Sequence, residues 1–203
     1  MATATSTRPV PALAPPPQPR RPRALFVGTA FAAAAVGMSF LGLIGIYIAV
    51  RAEAVAGGGT WLPEGVVIPL TPPNVAMATL LMSVVTMQWA IYAIGNRDRN
   101  NAYLALGLTL LLGAAFANST AYLYSQMGLV IAESTVGVLV YAISGAHLVL
   151  TIAALLYIGV VALRALGGEY TPRDREGLSS AALFWYATVA VYALIWYTIF
   201  ITK

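Results

Sequence analysis

Cysteine is absent from this chain of 203 residues, and histidine occurs once, at His147. The first absence removes disulfides, iron–sulfur ligation, zinc thiolates and covalently attached c-type haem. The second means that one copy alone cannot offer a pair of histidines to a haem iron. Charge is scarce as well: Asp, Glu, Lys and Arg make up 9% of residues, where globular domains carry about a quarter. A mean hydropathy of +0.80 is too apolar for a soluble domain.

The charges are also confined. Five stretches, 24–50, 65–96, 100–132, 134–163 and 177–202, contain none, and all 18 charges fall in the remaining 55 residues. Each stretch exceeds the ~20 residues that an α-helix needs to cross roughly 30 Å of hydrocarbon. The expectation is an all-α polytopic membrane bundle of five transmembrane helices, at about 25–50, 74–94, 102–124, 135–163 and 180–201. These form a membrane domain over 24–203. No proline lies inside any of these spans, so straight helices are expected.

Residues 1–23 hold seven of the twelve prolines and four arginines. Such a segment buries no apolar surface and reads as disordered. Ala54-Val55-Ala56 resembles a signal-peptidase site, but 27 apolar residues exceed the about 7–15 of a signal h-region, so the first span reads as retained. The loop after it contains Gly57-Gly58-Gly59, Trp61-Leu62-Pro63, Pro69 and Pro72-Pro73, with Trp61 placed as an interfacial anchor and Asn74 as an N-cap. With the N-terminus cytoplasmic, nine arginines (8, 20, 21, 23, 97, 99, 164, 173, 175) lie inside, and only Arg51 and Lys203 outside. The positive-inside rule therefore reads the N-terminus as cytoplasmic and the C-terminus as outside, in a multi-pass protein of the cell membrane. The same placement explains the pI near 9.5 without nucleic acid.

Spans without charge offer no voltage sensor and no carboxylate proton relay of their own, which argues against an ion-coupled transporter. The polar side chains Ser83, Thr86, Gln88, Asn118, Ser119, Thr120, Ser144, His147 and Thr151 read as interhelical glue. Asn118-Ser119-Thr120 matches a glycosylation sequon, coincidentally, since it lies within a span. His147 lacks a second histidine or a carboxylate beside it and reads as a neutral imidazole bonded to a neighbouring helix. Small residues recur at four-residue spacing, at Ala33/Gly37, Ala35/Ser39, Gly113/Ala117/Ala121 and Ala142/Ala146, a pattern that permits close helix contact.

The order of several loose motifs resembles one family. Trp61-Leu62-Pro63, Pro69, Pro72, Asn74, Ser83 and Gln88-Trp89-Ala90 resemble subunit III of haem-copper oxidases. So do Phe40-Leu41-Gly42-Leu43 with Tyr47, Leu112-Gly113-Ala114-Ala115-Phe116, Ala121-Tyr122-Leu123-Tyr124, Ser144-Gly145-Ala146-His147 and Phe184-Trp185-Tyr186. The resemblance covers about 25–203 and fits the family's five-helix form. The departures share one character. Where the family has polar or ionisable residues inside the membrane, this chain has Val36, Thr120, Leu123, Leu150, Tyr186 and Val189. The resemblance therefore carries the fold and not a role tied to internal carboxylates.

It implies a non-catalytic component of a membrane respiratory oxidase, with no cofactor of its own. Haem and copper are expected in the partner subunits, which include the haem-bearing catalytic subunit I, and phospholipid is expected as a ligand. For lipid or subunit contact the expected residues are Trp61, Arg97, Arg99, Tyr122, Tyr124, His147, Arg164 and Trp185; no catalytic, cofactor or metal residue is expected. The arginines suit lipid phosphates. An accessory subunit of a nitric oxide reductase and a small transporter-like bundle are the alternatives weighed.

Overall fold

A computed structural model describes residues 23–131 and 134–202. Among them the secondary structure is helical throughout: α1 Ala24–Ala56, α2 Thr71–Gly95, α3 Arg99–Gln126, α4 Thr135–Leu166 and α5 Glu176–Ile195. Past Ile195 the last helix widens into a π turn over Trp196–Ile201. All five are long and apolar enough to cross a bilayer. The expected disorder of 1–23 lies outside the described residues, except for Arg23.

Helix ends depart from the sequence reading in ways that capping explains. α2 starts at Thr71 rather than Asn74, because prolines are tolerated in a first turn whose N–H groups are unpaired anyway. Asn74 is thus inside the helix and not its N-cap; its Oδ1 instead accepts from Trp196 Nε1 at 2.8 Å. α3 is capped by Asp98, whose carboxylate accepts from the Asn101 amide N at 3.2 Å. α4 is capped by Ser134, whose Oγ accepts from Gly137 N at 3.0 Å. A Cβ at Gly137 would sit 2.9 Å from the Val130 carbonyl, so only glycine lets the preceding loop pass so close. α1 runs past Arg51 and Glu53 to Ala56, and α4 takes in Arg164. Charge ends the apolar run without ending the helix, because helix propensity there is good and the side chains have left the hydrocarbon.

α2 and α3 form the most extensive helix pair, and α5 packs on α1, α4 and α2. α1 and α5 run parallel. Phe26 N donates to Glu176 Oε1 at 3.0 Å at one end, and Arg51 Nη1 donates to Thr202 Oγ1 at 3.1 Å at the other. The end holding Arg97, Arg99, Arg173 and Arg175 is the end where α1 and α5 start. Two apolar clusters fill the bundle. The first joins α2, α3, α4 and α5 around Leu80, Met87, Leu106, Ile158 and Trp185, and runs from Ile94, Ala165 and Leu178 at the arginine-rich end to Ala76 and Tyr192 toward the other. The second, at the opposite end, joins α1, the 57–70 loop and the far ends of α3, α4 and α5 around Tyr47, Ile68, Val140, Ile143 and Ile199.

The small-residue pairs are split by this packing. Ala33 is buried and Gly113 is enclosed, whereas Ala35/Ser39 and Ala142/Ala146 face outward. Gly113 has a specific reason to be glycine. A Cβ there would collide with the Leu155 side chain and lie 3.1 Å from the Trp185 ring.

Candidate lipid and subunit interface

Several polar side chains inside the bundle pair across helices, while Thr120, Thr151 and Thr188 bond back to carbonyls of their own helices. Thr86 and Thr109 hydroxyls meet at 2.8 Å between α2 and α3. Trp185 Nε1 on α5 donates to Ser83 Oγ on α2 at 3.0 Å. Tyr124 Oη on α3 donates to Ser144 Oγ on α4 at 2.9 Å. Ser119 Oγ reaches the Pro72 carbonyl at 3.0 Å, and Tyr192 Oη reaches that of Pro73 at 3.3 Å. In a bilayer an unpaired polar group has no water to turn to, so such pairs are what the spans require.

His147 sits at the junction of the two clusters and is 1% exposed. Its Nε2 lies 3.0 Å from the Thr188 carbonyl, which can only accept, so Nε2 carries the proton. Thr151 Oγ1 lies 3.5 Å from Nδ1 and donates to the His147 carbonyl at 2.9 Å. Phe40, Phe116 and Tyr192 surround the ring at centroid distances of 6.0, 5.5 and 5.3 Å. The imidazole is enclosed by aromatic faces and edges and has no carboxylate among its contacts. It pins α4 to α5.

The remaining expected contact residues fall into three places. Trp61 is not on the surface: it is buried in the second cluster, its Nε1 donates to Tyr47 Oη at 3.0 Å, and the two rings meet edge to face at 5.3 Å. Trp185 is fully enclosed and Tyr124 is half-buried, so both face other helices. Tyr122 is 58% exposed on the outside of α3. Arg97, Arg99 and Arg164 gather at the arginine-rich end.

There a cavity of about 240 Å³ is lined by Ile94, Arg97, Arg99, Tyr170, Thr171 and Pro172. Arg97 holds a left-handed backbone with φ 61°, a conformation that glycine or asparagine adopts more cheaply. The Arg99 guanidinium lies against Gly168, whose φ is +79°. Arg164 is engaged elsewhere, with Nε 2.6 Å from Glu169 Oε2 in an exposed ion pair. Arg175 Nη1 donates to the Ile91 carbonyl at 3.4 Å, across the end of α2. Tyr170 walls the cavity from the loop between α4 and α5. Burial pushes its phenol above the ordinary value, partly offset by the Arg164 charge. Its hydroxyl is buried against Gly177 without a hydrogen-bond partner.

The sequence reading missed the Tyr186–Gln88 bond of 2.9 Å, the Trp196–Asn74 bond and the pocket wall at Tyr170. Residue type marked these side chains as capable of hydrogen bonding. Which helices would be neighbours was not readable. Four of the six positions where the resemblance implies lost polar groups are apolar packing. Val36, Leu123 and Leu150 belong to the second cluster, and Val189 to the first. Among the described residues, no group of three or more His, Asp or Glu is placed to hold a metal ion.

Fold and interior define a class: a multi-pass α-helical membrane protein whose polar interior residues tie helices together. Residues 25–203 match the family model described as cytochrome c oxidase subunit III. The chain belongs to the cytochrome c oxidase subunit III family. It is similar to cytochrome c oxidase subunit 3 of Gallus gallus, 35% identical over 131 residues, 64% of this chain and 50% of the relative. The same protein of Cyprinus carpio is 31% identical over 146 residues, 70% of this chain and 56% of the relative. That of Paracentrotus lividus is 32% identical over 152 residues, 73% of this chain and 58% of the relative. The matched region spans little more than half the length of these relatives.

Proposed function

We propose that this chain acts as the non-catalytic subunit III of a membrane respiratory haem-copper oxidase. In that role it docks against the haem-bearing catalytic subunit, holds phospholipid, and supports assembly, proton uptake and durability. The observation that carries the reading is the family match across all five spans, 25–203. The side-chain chemistry supports it. There is no cysteine and one histidine, and that histidine is occupied by Thr188 and enclosed by aromatic rings. Haem and copper therefore belong to the partners.

The charge distribution supports a cell-membrane protein with its N-terminus cytoplasmic, which sets the arginine-rich cavity at the inner leaflet. There Arg97 and Arg99 suit an anionic lipid phosphate. Arg164 contributes less, since Glu169 already neutralises it.

The test is a purification through a tag on this chain, with an absorption spectrum and subunit composition of the product. A haem-copper oxidase spectrum is expected. Removing the chain should leave the catalytic subunit's haem spectrum unchanged while turnover decays sooner or proton uptake slows. Isolation of the chain without a haem protein would overturn the reading.

A further inference from the structure

The cavity at the arginine-rich end is walled by two segments far apart in sequence, Ile94, Arg97 and Arg99 on one side and Tyr170, Thr171 and Pro172 on the other. No carboxylate is in that lining. Among the described residues neither guanidinium has a hydrogen-bond or ion-pair partner, whereas Arg51, Arg164 and Arg175 each have one. Asp98 stands between the two in sequence, but both of its carboxylate oxygens are spent on Asn101. Ile94 and Tyr170 are buried and give the cavity an apolar floor. Two positive charges thus meet over a surface that cannot neutralise them.

The wall has further donors and a backbone built to hold them. Thr171 Oγ1 accepts from Asp174 N at 3.1 Å, and among the described residues its hydroxyl proton has no acceptor. The Arg99 guanidinium lies against Gly168 and so reaches from α3 to the loop between α4 and α5. Arg97 takes the left-handed φ of 61°, while Asn96 beside it, which would adopt that conformation more cheaply, has φ −96°. The turn keeps an arginine at the costly place, and its side chain lines the cavity.

Size and charge select the ligand. A volume of about 240 Å³ falls below the about 300–1,000 Å³ of pockets that enclose drug-sized molecules. One phosphate with a short apolar arm fits, and a nucleotide is too large. A phosphate monoester carries a charge of about −1.5 to −2 at pH 7, which matches two guanidiniums; a carboxylate or a phosphodiester carries a single charge.

We infer that this cavity binds a phosphate monoester. Arg97 and Arg99 hold its oxygens from one side and the Thr171 hydroxyl from the other, with the ester arm against Ile94, Tyr170 and Pro172. Bound so, it ties the α4–α5 loop to the turn between α2 and α3. The monoester is either a lipid headgroup of the phosphatidic acid type or a small soluble phosphate ester. This names the ligand of the two arginines that the functional reading sets at the inner leaflet, and it rests on that reading for their position alone.

The test is calorimetric titration of the detergent-solubilised complex, purified through this chain, with dihexanoyl phosphatidic acid, dihexanoyl phosphatidylglycerol and glycerol 3-phosphate. Phosphatidic acid is expected to bind about ten-fold more tightly than phosphatidylglycerol. Arg97→Gly should weaken its binding at least about ten-fold, the loss of one charge-assisted hydrogen bond. The unfolding temperature of that variant without probe should hold or rise, because glycine relieves the left-handed backbone. Thr171→Val should weaken binding about five-fold, and Thr171→Ser should restore it. Arg173 is exposed at the same end, also without a printed partner, and lies outside the lining, so Arg173→Gln should change nothing. Glycerol 3-phosphate bound as tightly as phosphatidic acid assigns the site to a soluble ester, and phosphatidic acid bound alone assigns it to a lipid. Equal affinity for the two lipids, an affinity unmoved by Arg97→Gly, or an equal loss from Arg173→Gln would overturn the inference. Haem is read from the absorption spectrum of the same sample. With haem present, binding independent of Arg97 sinks this inference alone. Binding that depends on Arg97 in a sample without haem keeps it and sinks the oxidase reading.

Discussion

The two apolar clusters of this bundle are built from different materials. The larger one, which runs along α2 to the arginine-rich end, is made almost wholly by helix against helix, and polar bonds thread through it: Thr86 to Thr109, and Trp185 to Ser83. The other depends on a loop. Trp61 and Ile68 from the 57–70 segment fill the space between α1 and the far ends of α3, α4 and α5. Helices bring their own backbone hydrogen bonds into lipid, but a loop must have its polar groups met near the water. The loop-dependent cluster is therefore at an end of the bundle. Its tryptophan does the work of a core residue although its sequence context is that of an interfacial anchor.

The contrast can be broken most directly at Trp185. Replacing it by Ala empties the centre of the helix-only cluster and orphans the Ser83 bond. A loss of about 3–5 kcal/mol is expected, read as a lower unfolding temperature and reduced recovery of the complex. Gly113→Leu attacks the same place by overfilling, against Leu155 and Trp185, at a cost of about 1–3 kcal/mol in the same measurement. In the loop-dependent cluster, Trp61→Phe keeps most of the packing and removes the bond to Tyr47. About 1 kcal/mol is expected, with proteolysis of the 57–70 loop rising before global unfolding does. Equal sensitivity of both ends to cleavage would remove the distinction between the clusters.

His147 sharpens the comparison because it lies between the two. His147→Gln retains an N–H that can reach the Thr188 carbonyl but removes titration. Assembly and the turnover profile of the complex should be unchanged between about pH 6 and 8, a window around the ordinary imidazole value of about 6.5. A displaced profile with intact assembly would make His147 part of a proton path. The smallest effect is expected at Arg164→Ala, where the exposed pair with Glu169 is lost and no measurable change in unfolding temperature should follow.

Much of this was legible in the residues. Five uncharged runs became five helices, since a span of that length and polarity has one stable backbone form in lipid. The polar list was legible as glue, and most of it is glue. Thr120 and Thr151 bond only within their own helices and Asn118 faces out, because residue type does not say which face of a helix meets a neighbour. Asn74 shows the same limit at a helix end. A cap residue behind two prolines looked like a start, yet the prolines themselves form the first turn, and the amide is spent on Trp196 instead.

What the sequence determined by itself was therefore the set of spans, their order and the charge imbalance between the two ends. Each follows from the transfer free energy of short segments, which needs no knowledge of neighbours. Only the tertiary structure decided that Trp61 lies inside, that Gly113 is closed by Leu155 and Trp185, and that His147 meets Thr188. It also decided that Arg97, Arg99 and Tyr170 share one cavity and that Asn118 faces out. Those outcomes depend on which helices pack together and at what rotation. In hydrocarbon, where burial of apolar area no longer discriminates, close packing and the pairing of polar groups select the arrangement.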